Sequence, residues 1–350
     1  MNPSPKPRIA VDAMGGDFGP HVVLPGALQA ARAKQFDLLL VGDETRLAAE
    51  LTKLDTRGVE YRIVHASQVA EMHEKPSDCL RRKKDSSIQV ASNLVRKGEA
   101  DGMISAGNTG VVLASSLFTL GRIEGVDRPA LATILPTERA PLVLVDAGAN
   151  MDCKPLNLLQ FGIMADVMAR TLLHCVTPKV ALLSIGHEEG KGNLLVKEAF
   201  ELLKLSPLNF VGNIEGRDLF TGEVDVVVCD GFVGNVAIKL GEGLASSLGR
   251  LLKGELRRGF FAKIGTTLAL SALKRFSRLM DYAEYGGAPL LGLNGIVIVS
   301  HGASNAKAIR NAVDMAGTFV RLNANKLLRE GLAANKDFVH SAKRAAHAAE

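Results

Sequence analysis

The sequence predicts an α/β protein in three layers, with a largely parallel sheet between two layers of helices. Short apolar runs alternate with longer amphipathic segments along almost all of its 350 residues, the pattern of successive β-α units. Several runs, among them those in "PLVLVDAGAN" and "VDVVVCDG", are unbroken stretches of Val and Leu, as strands buried on both faces require. Polar and small residues collect just after the runs, at Asp12, Gly42, Ser105, Asp146, Ser184, Asn213, Asp230 and His301. Strand C-termini of an open parallel sheet share one edge, where ligands bind, so these residues are expected together on one active-site edge.

The first strand is expected at 8–12 and leads through "MGGDFGP" to a helix over 20–34, opened by Pro20, which a first turn tolerates. Strands at 37–42 and 59–65 flank a helix at 44–54, and another helix follows at 86–97. The strand at 100–105 enters "SAGNTG", where Asn108 and Thr109 are candidate N-caps of a helix over 109–120. The uncharged run Gly102–Gly121 is long enough to cross a bilayer, but Gly107, Asn108, Thr109 and Gly110 interrupt it, which suits a strand, a turn and a helix. Strands at 130–135 and 141–146 precede a helix over 155–174. The strand at 179–185 runs into "SIGHEEGKGN", with Lys191 ahead of a helix over 192–204. Strands at 208–213 and 224–229 lead to "CDGFVGN", with Asn235 near the start of a helix over 232–252. The strand at 295–300 enters "HGASN", where Ser304 and Asn305 begin a helix over 304–329. With no repeat, linker or shift of composition, one α/β/α catalytic unit over 7–330 is expected. It holds an amphipathic helical hairpin at 245–285 and is followed by a helical tail at 331–350.

Composition narrows the function. Trp is absent and Tyr occurs three times, which speaks against aromatic stacking platforms for nucleic acid. Four scattered cysteines, Cys79, Cys153, Cys175 and Cys229, form neither a C-x-x-C pair nor a metal spacing, and suit reduced thiols in a cytosol. "MNPSPKPRIA" lacks the apolar core of a signal peptide.

The Gly-rich stretch after the first strand poses a problem. Gly15, Gly16 and Gly19 suit a loop around a phosphate, yet Asp12 and Asp17 lie within it and would repel one. Two readings stand: the carboxylates hold backbone amides or cationic side chains around a neighbouring pocket, or Asp17 caps the helix near Pro20. A dinucleotide fingerprint needs a glycine two places before Gly16, where Met14 stands, although Asp43 offers the acid that a ribose would require. No Walker A, HExxH or other metal motif is present, so no cofactor and no metal are expected. "SAGNTG", "VDAGAN", "SIGHEEGKGN", "CDGFVGN" and "HGASN" instead offer five Gly-turn-to-helix junctions, each a potential anion site.

Taken in order, "IAVDAMGGDFGP", "RRKKDSS", "SAGNTG", "GRIEGVDRPALA", "DAGAN", "KGN", "DVVVCDGFVGNVAIK", "YGGAPLLGL" and "HGASNAKAI" resemble the bacterial PlsX family, the acyl-[acyl-carrier-protein]:phosphate acyltransferases. The resemblance implies a fold like isocitrate and isopropylmalate dehydrogenases and phosphotransacetylase, and a homodimer. It implies reversible transfer of a fatty acyl group from acyl carrier protein to orthophosphate. The acyl phosphate would then serve a glycerol-3-phosphate acyltransferase in phospholipid synthesis. The expected place is the cytoplasm, at the inner membrane face. An NAD-dependent hydroxyacid dehydrogenase and a non-catalytic, membrane-recruited scaffold of lipid synthesis are the alternatives.

Attack of phosphate on a thioester needs alignment and charge stabilisation more than a strong base, and no nucleophile elbow appears. The expected catalytic groups are Lys191, Asn235 and His301. Asp12, Gly15, Gly16, Asp17, Asn108, Thr109, Gly110, Asn150, Asn193, Asp230, Ser304 and Asn305 are expected to hold phosphate or substrate. "RRKK", Arg81, Arg82, Lys83 and Lys84, is expected to dock the acidic carrier protein. Within 254–280, Arg257, Arg258, Phe260, Phe261, Ile264, Leu268, Lys274 and Arg275 suit contact with an anionic membrane, and the dimer partner competes for the same segment.

Overall fold

The computed structural model describes residues 6–34, 36–279, 284 and 286–349. In chain order the elements are β1 (Arg8–Asp12), α1 (Pro20–Lys34), β2 (Asp37–Gly42), α2 (Glu44–Leu51), β3 (Tyr61–His65), α3 (Pro76–Arg82), α4 (Ser87–Arg96), β4 (Gly102–Ser105) and α5 (Thr109–Leu120). Next come β5 (Ala130–Leu135), β6 (Leu142–Val145), α6 (Pro155–Leu172), β7 (Val180–Leu183), α7 (Leu194–Leu205), β8 (Phe210–Ile214) and, after a 3-10 turn over Gly216–Phe220, β9 (Val226–Val228). The chain ends with α8 (Gly231–Leu256), α9 (Phe260–Leu268), α10 (Leu270–Leu279), β10 (Ala288–Leu291), β11 (Ile296–Val299), α11 (Ala306–Arg321), α12 (Ala324–Ala334) and α13 (Lys336–Ala349).

One sheet of 11 strands, ordered β3-β2-β1-β4-β11-β10-β5-β6-β9-β7-β8, divides the helices into two layers. Alternation along the strands feeds both. Ile9, Val11, Leu38 and Leu40 enter the core beneath α1 and α11, while Ala10, Leu39 and Val41 enter the core beneath α4 and α5. The first of these cores continues under α6 and α7 through Phe161, Met164, Val180 and Val228. The three-layer expectation is therefore met.

Sheet polarity departs from the expectation of one shared edge. β3, β2, β1, β4 and β11 are mutually parallel, as are β6, β9, β7 and β8. Between these blocks the pairings β11–β10, β10–β5 and β5–β6 are all antiparallel. Three reversals turn the second block over. The C-terminal ends of β1, β4 and β11 thus lie on one edge, and those of β6, β7 and β9 lie on the opposite edge. Strand β10 makes this possible and was absent from the expected strands: it spans four residues and contains Pro289, which argues against a central strand.

Smaller differences have local causes. The helix expected over 304–329 breaks at Asn323, whose φ of 51° ends α11 and starts α12. The expected boundary at residue 330 falls inside α12, and Leu328, Leu332 and Ala342 are buried in the main core. Lys336 and Lys343 of α13 reach Glu124 and Asp127, each at 3.4 Å. Helix α8 begins at the edge formed by β6, β7 and β9. Its Gly241 lies beside Phe220, whose carbonyl accepts the N–H of Glu138 from the β5–β6 turn at the other edge. The remainder of α8 projects past that edge, carrying α9, whose Thr266 hydroxyl bonds the carbonyl of Leu256. Residues 280–283 and 285 of the expected hairpin, Tyr285 of "YGGAPLLGL", and Glu350 of the tail lie outside the described residues. Among the described residues no helix is long and apolar enough to cross a membrane.

Candidate functional site

A carboxylate taken out of water must be met by donors, and Asp12, 1 % exposed at the end of β1, shows how. Its Oδ1 accepts the N–H groups of Met14 and Gly15 at 3.2 and 3.1 Å, and its Oδ2 accepts the Ser105 hydroxyl at 2.6 Å. Ser105 Oγ in turn accepts the N–H of Gly107 at 3.0 Å. A Cβ on Gly15 would lie 2.5 Å from Asp12 Oδ2 and 2.8 Å from the Gly107 nitrogen, so a side chain there would push the two loops apart. The N–H of Asp17 donates to the Gly302 carbonyl at 2.9 Å, adding the loop after β11. Burial pushes the Asp12 carboxyl up, against the opposing pull of Ser105 and the two amides. Asp12 therefore organises backbone, as the first reading of the Gly-rich stretch has it. In the first turn of α1 the amides of Val22 and Val23 bond the Gly19 carbonyl.

The opposite edge repeats the device. Asp146 is fully buried after β6. Its Oδ1 accepts N–H groups of Leu131, Gly148 and Ala149, and its Oδ2 accepts the backbone and side-chain N–H of Asn150. Burial pushes its carboxyl up too. The start of α8 lies directly against this turn, where a Cβ on Gly234 would fall 1.9 Å from the Asp146 carbonyl. Asp146 was among the residues expected on the edge but not among those expected to bind substrate. The repeated tripeptide Val-Asp-Ala, at 11–13 and 145–147, is the signal that marks it as a twin of Asp12.

The expected site residues divide between these edges. Asp12, Gly15, Gly16, Asp17, Asn108, Thr109, Gly110, His301, Ser304 and Asn305 belong to the loops after β1, β4 and β11. Asn150, Lys191, Asn193, Asp230 and Asn235 belong to the loops after β6, β7 and β9. Lys191 and Asn235 therefore follow strands that end on the edge opposite the one that carries His301, because the three antiparallel pairings turn the second block over.

Most of the expected amide ligands already have work within the fold. Asn108, Asn193 and Asn305 use Oδ1 to accept N–H groups of Val111, Val196 and Ala308, capping α5, α7 and α11. Asp230 caps α8 through Phe232 and Val233. Asn150 Nδ2 is held by the Pro129 carbonyl and Asp146, and buried Ser304 pairs with Ser300 at 2.9 Å. Among the described residues, Asn235 makes no side-chain hydrogen bond and exposed Lys191 no ion pair; both are open to a ligand. His301 Nδ1 accepts the N–H of Ala303 at 3.1 Å, which leaves the proton of the neutral ring on Nε2. His187 is braced by Asp218 and Glu215.

Three further expectations meet geometry here. Asp43 Oδ1 accepts the N–H of Arg46 at 2.7 Å as the cap of α2. Of the four basic residues at 81–84, Lys83 turns inward to Glu74 at 2.7 Å and Arg81 pairs with Asp78, leaving Arg82 and Lys84 facing solvent. Phe260, Phe261, Ile264 and Leu268 are exposed on α9, beside exposed Arg257 and Arg258 and followed by exposed Lys274 and Arg275. No group of three or more His, Cys, Asp or Glu among the described residues is placed to hold a metal ion.

A family model described as a fatty acid synthesis protein matches residues 7–327. The phosphate acyltransferase of Oleidesulfovibrio alaskensis is 64 % identical over 332 residues, covering 95 % of this chain and 96 % of that one. The phosphate acyltransferase of Nitratidesulfovibrio vulgaris is 62 % identical over 336 residues, covering 96 % and 97 %. In three dimensions the fold is shared with a phosphotransacetylase from Streptococcus pyogenes, at a TM-score of 0.64 and 18 % identity over 90 % of this chain and 94 % of that one. A branched-chain phosphotransacylase from Enterococcus faecalis follows at 0.56 and 16 %, over 90 % and 99 %.

Replacing Asp12 by Ala would strand two buried amides and a hydroxyl, so the variant should lose about 3 kcal/mol of stability. Asp12→Asn, which keeps an acceptor for the amides, should lose less. Denaturant unfolding of both checks this; equal losses would mean that the carboxylate is not the organiser.

Proposed function

The chain belongs to the phosphate acyltransferase family, and on that premise we propose that it transfers a fatty acyl group from acyl carrier protein to orthophosphate by direct attack on the thioester. The observation that carries acyl transfer to phosphate is identity of 62 % across 96 % of the chain with a phosphate acyltransferase. A phosphate oxygen bonds to the thioester carbonyl carbon and a tetrahedral oxyanion forms. Its collapse breaks the C–S bond, and the departing sulfur takes the proton that phosphate gives up. The reverse path returns the acyl group to the thiol. Phosphate is largely dianionic near neutral pH, and a thiol of pKa about 8.5 leaves readily. The cysteines support direct transfer: burial pushes all four thiols up, Cys153 to about 11, so none is a ready thiolate nucleophile.

In this reading the Lys191 ammonium and the Asn235 amide contact phosphate or the oxyanion, and the first turn of α5 at Thr109 and Gly110 offers N–H groups to an anion. A homodimer reconciles their places on opposite edges. Exposed Phe232, Val236, Leu240, Leu244, Leu248 and Leu252 recur every four residues along α8, an unpaired apolar stripe on a helix of 26 residues. Antiparallel pairing of two such stripes sets the start of one α8 beside the far end of the other, past the edge that carries Thr109 and His301. The basic, apolar surface of α9 and α10 projects at that same end and suits an anionic membrane. Arg82 and Lys84 remain for carrier docking. The acyl phosphate then serves acylation of glycerol 3-phosphate in phospholipid synthesis, at the inner membrane face of the cytoplasm.

Release of thiol from acyl carrier protein should require orthophosphate, and Lys191→Ala should cut turnover by about a hundredfold while the fold persists. Accumulation of an acylated enzyme when phosphate is withheld would overturn direct attack. Shared sites predict complementation: Lys191→Ala co-expressed with Thr109→Glu should recover about one quarter of normal activity, since half the dimers are mixed and each keeps one intact site. No recovery would confine each site to one chain. Flotation with liposomes should require anionic lipid and weaken in Arg257→Glu/Lys274→Glu; binding indifferent to lipid charge would remove the membrane role.

A further inference from the structure

Between β3 and α4 the chain forms a strap across the loops that follow β4 and β11. Its two ends are tied, since the Ser67 backbone N–H and hydroxyl donate to Asp85 Oδ2 at 2.8 and 2.6 Å, and Ser87 N–H bonds the Gln68 carbonyl. Its middle lies on the edge organised by Asp12. Asn108 Nδ2 donates to the carbonyls of Met72 and Glu74 at 2.6 and 3.3 Å, while the same residue caps α5. Pro76 Cγ lies 3.1 Å from where a Cβ on Gly110 would be, and Met72 Cε lies 2.6 Å from where one on Gly302 would be. Asn108 thus joins the strap to the first turn of α5.

Lys83 braces this strap from within. Its ammonium donates to Glu74 Oε2 at 2.7 Å and to the Val69 carbonyl at 2.6 Å, crossing from the end of α3 to two points on the stretch that precedes it. Glu74 Oε2 also accepts the Glu71 N–H at 2.8 Å and the Cys79 thiol at 3.4 Å. The bond from Lys83, with that from Glu71, holds the Glu74 carboxyl down to about 2. With both ends of the strap tied by other residues, Lys83 restrains only its middle, the part that meets Asn108.

We infer that Lys83 is a positioning residue for the anion-binding turn of α5: by fixing Glu74 and Val69 it holds the strap that holds Asn108, and so sets the N–H groups of Thr109 and Gly110. It is not part of the carrier-docking surface, although Arg82 and Lys84 beside it face outward. The inference rests on the reading that orthophosphate is a substrate and binds at this turn. Loss of Lys83 then weakens the hold on phosphate and leaves encounter with an acidic carrier untouched.

Lys83→Met keeps the apolar stem and removes the charge. It should raise the KM for orthophosphate about tenfold, with a smaller change in kcat. The ionic-strength dependence of the carrier KM should stay as in the unaltered chain. Adding Glu74→Gln should cost little more, because both substitutions break one pair. Amide exchange should quicken over 66–76 and 106–112 and stay unchanged over 155–172 in α6. An unaltered phosphate KM, a flattened salt dependence of the carrier KM, or unchanged exchange over 66–76 would each overturn the inference. Failure of the reaction reading is visible separately, as thiol release without phosphate by the unaltered chain.

Discussion

A buried carboxylate has to be surrounded by donors, and backbone N–H groups at strand ends have to find acceptors. Asp12 and Asp146 satisfy both needs at once. Each lies at the close of a central strand and gathers amides that belong to no strand or helix. The Ser105 hydroxyl brings the loop after β4 to Asp12 and the Leu131 N–H brings β5 to Asp146, so neighbouring segments are drawn to within one side chain of each other, and only glycine fits at Gly15 and Gly234. The polar edges of the sheet therefore take their shape from two ionisable side chains that face no solvent.

The antiparallel strands β10 and β5 decide what those edges can do together. Inserting them turns the second parallel block over, so each aspartate serves a separate edge. Lys191 and Asn235 follow strands of one edge, and Thr109 and His301 follow strands of the other.

Helix capping fixes several asparagines through their amide oxygens and leaves their Nδ2 donors for other partners. Each N-terminus leaves four N–H groups without helical partners, and Asn108, Asn193 and Asn305 each accept one of them. Asn235 caps nothing, because Asp230 already caps its helix. The same economy applies to charge at 81–84, where one of four adjacent basic residues is drawn inward by a carboxylate nine positions earlier.

Alternating apolar runs and amphipathic segments were enough to establish the α/β class, ten of the 11 strands and the Asn108 cap of α5, because these depend on periodicity and on residues a few positions apart. The ordered motifs carried the family. What the chain order left hidden were β10, shortened and interrupted by Pro289, and the turning-over of half the sheet. The short turns from β5 to β6 and from β10 to β11 mark those pairs as antiparallel, but the β10–β5 pairing joins segments far apart in the chain and leaves no mark in the sequence. Whether Asn108 or Lys83 faces a ligand or a neighbour likewise depended on groups that folding brings across, such as Ser105 to Asp12 and Met72 to Asn108. Local spacing writes the elements; only tertiary packing, by pairing distant donors with buried acceptors, chose which polar side chains stay free for chemistry.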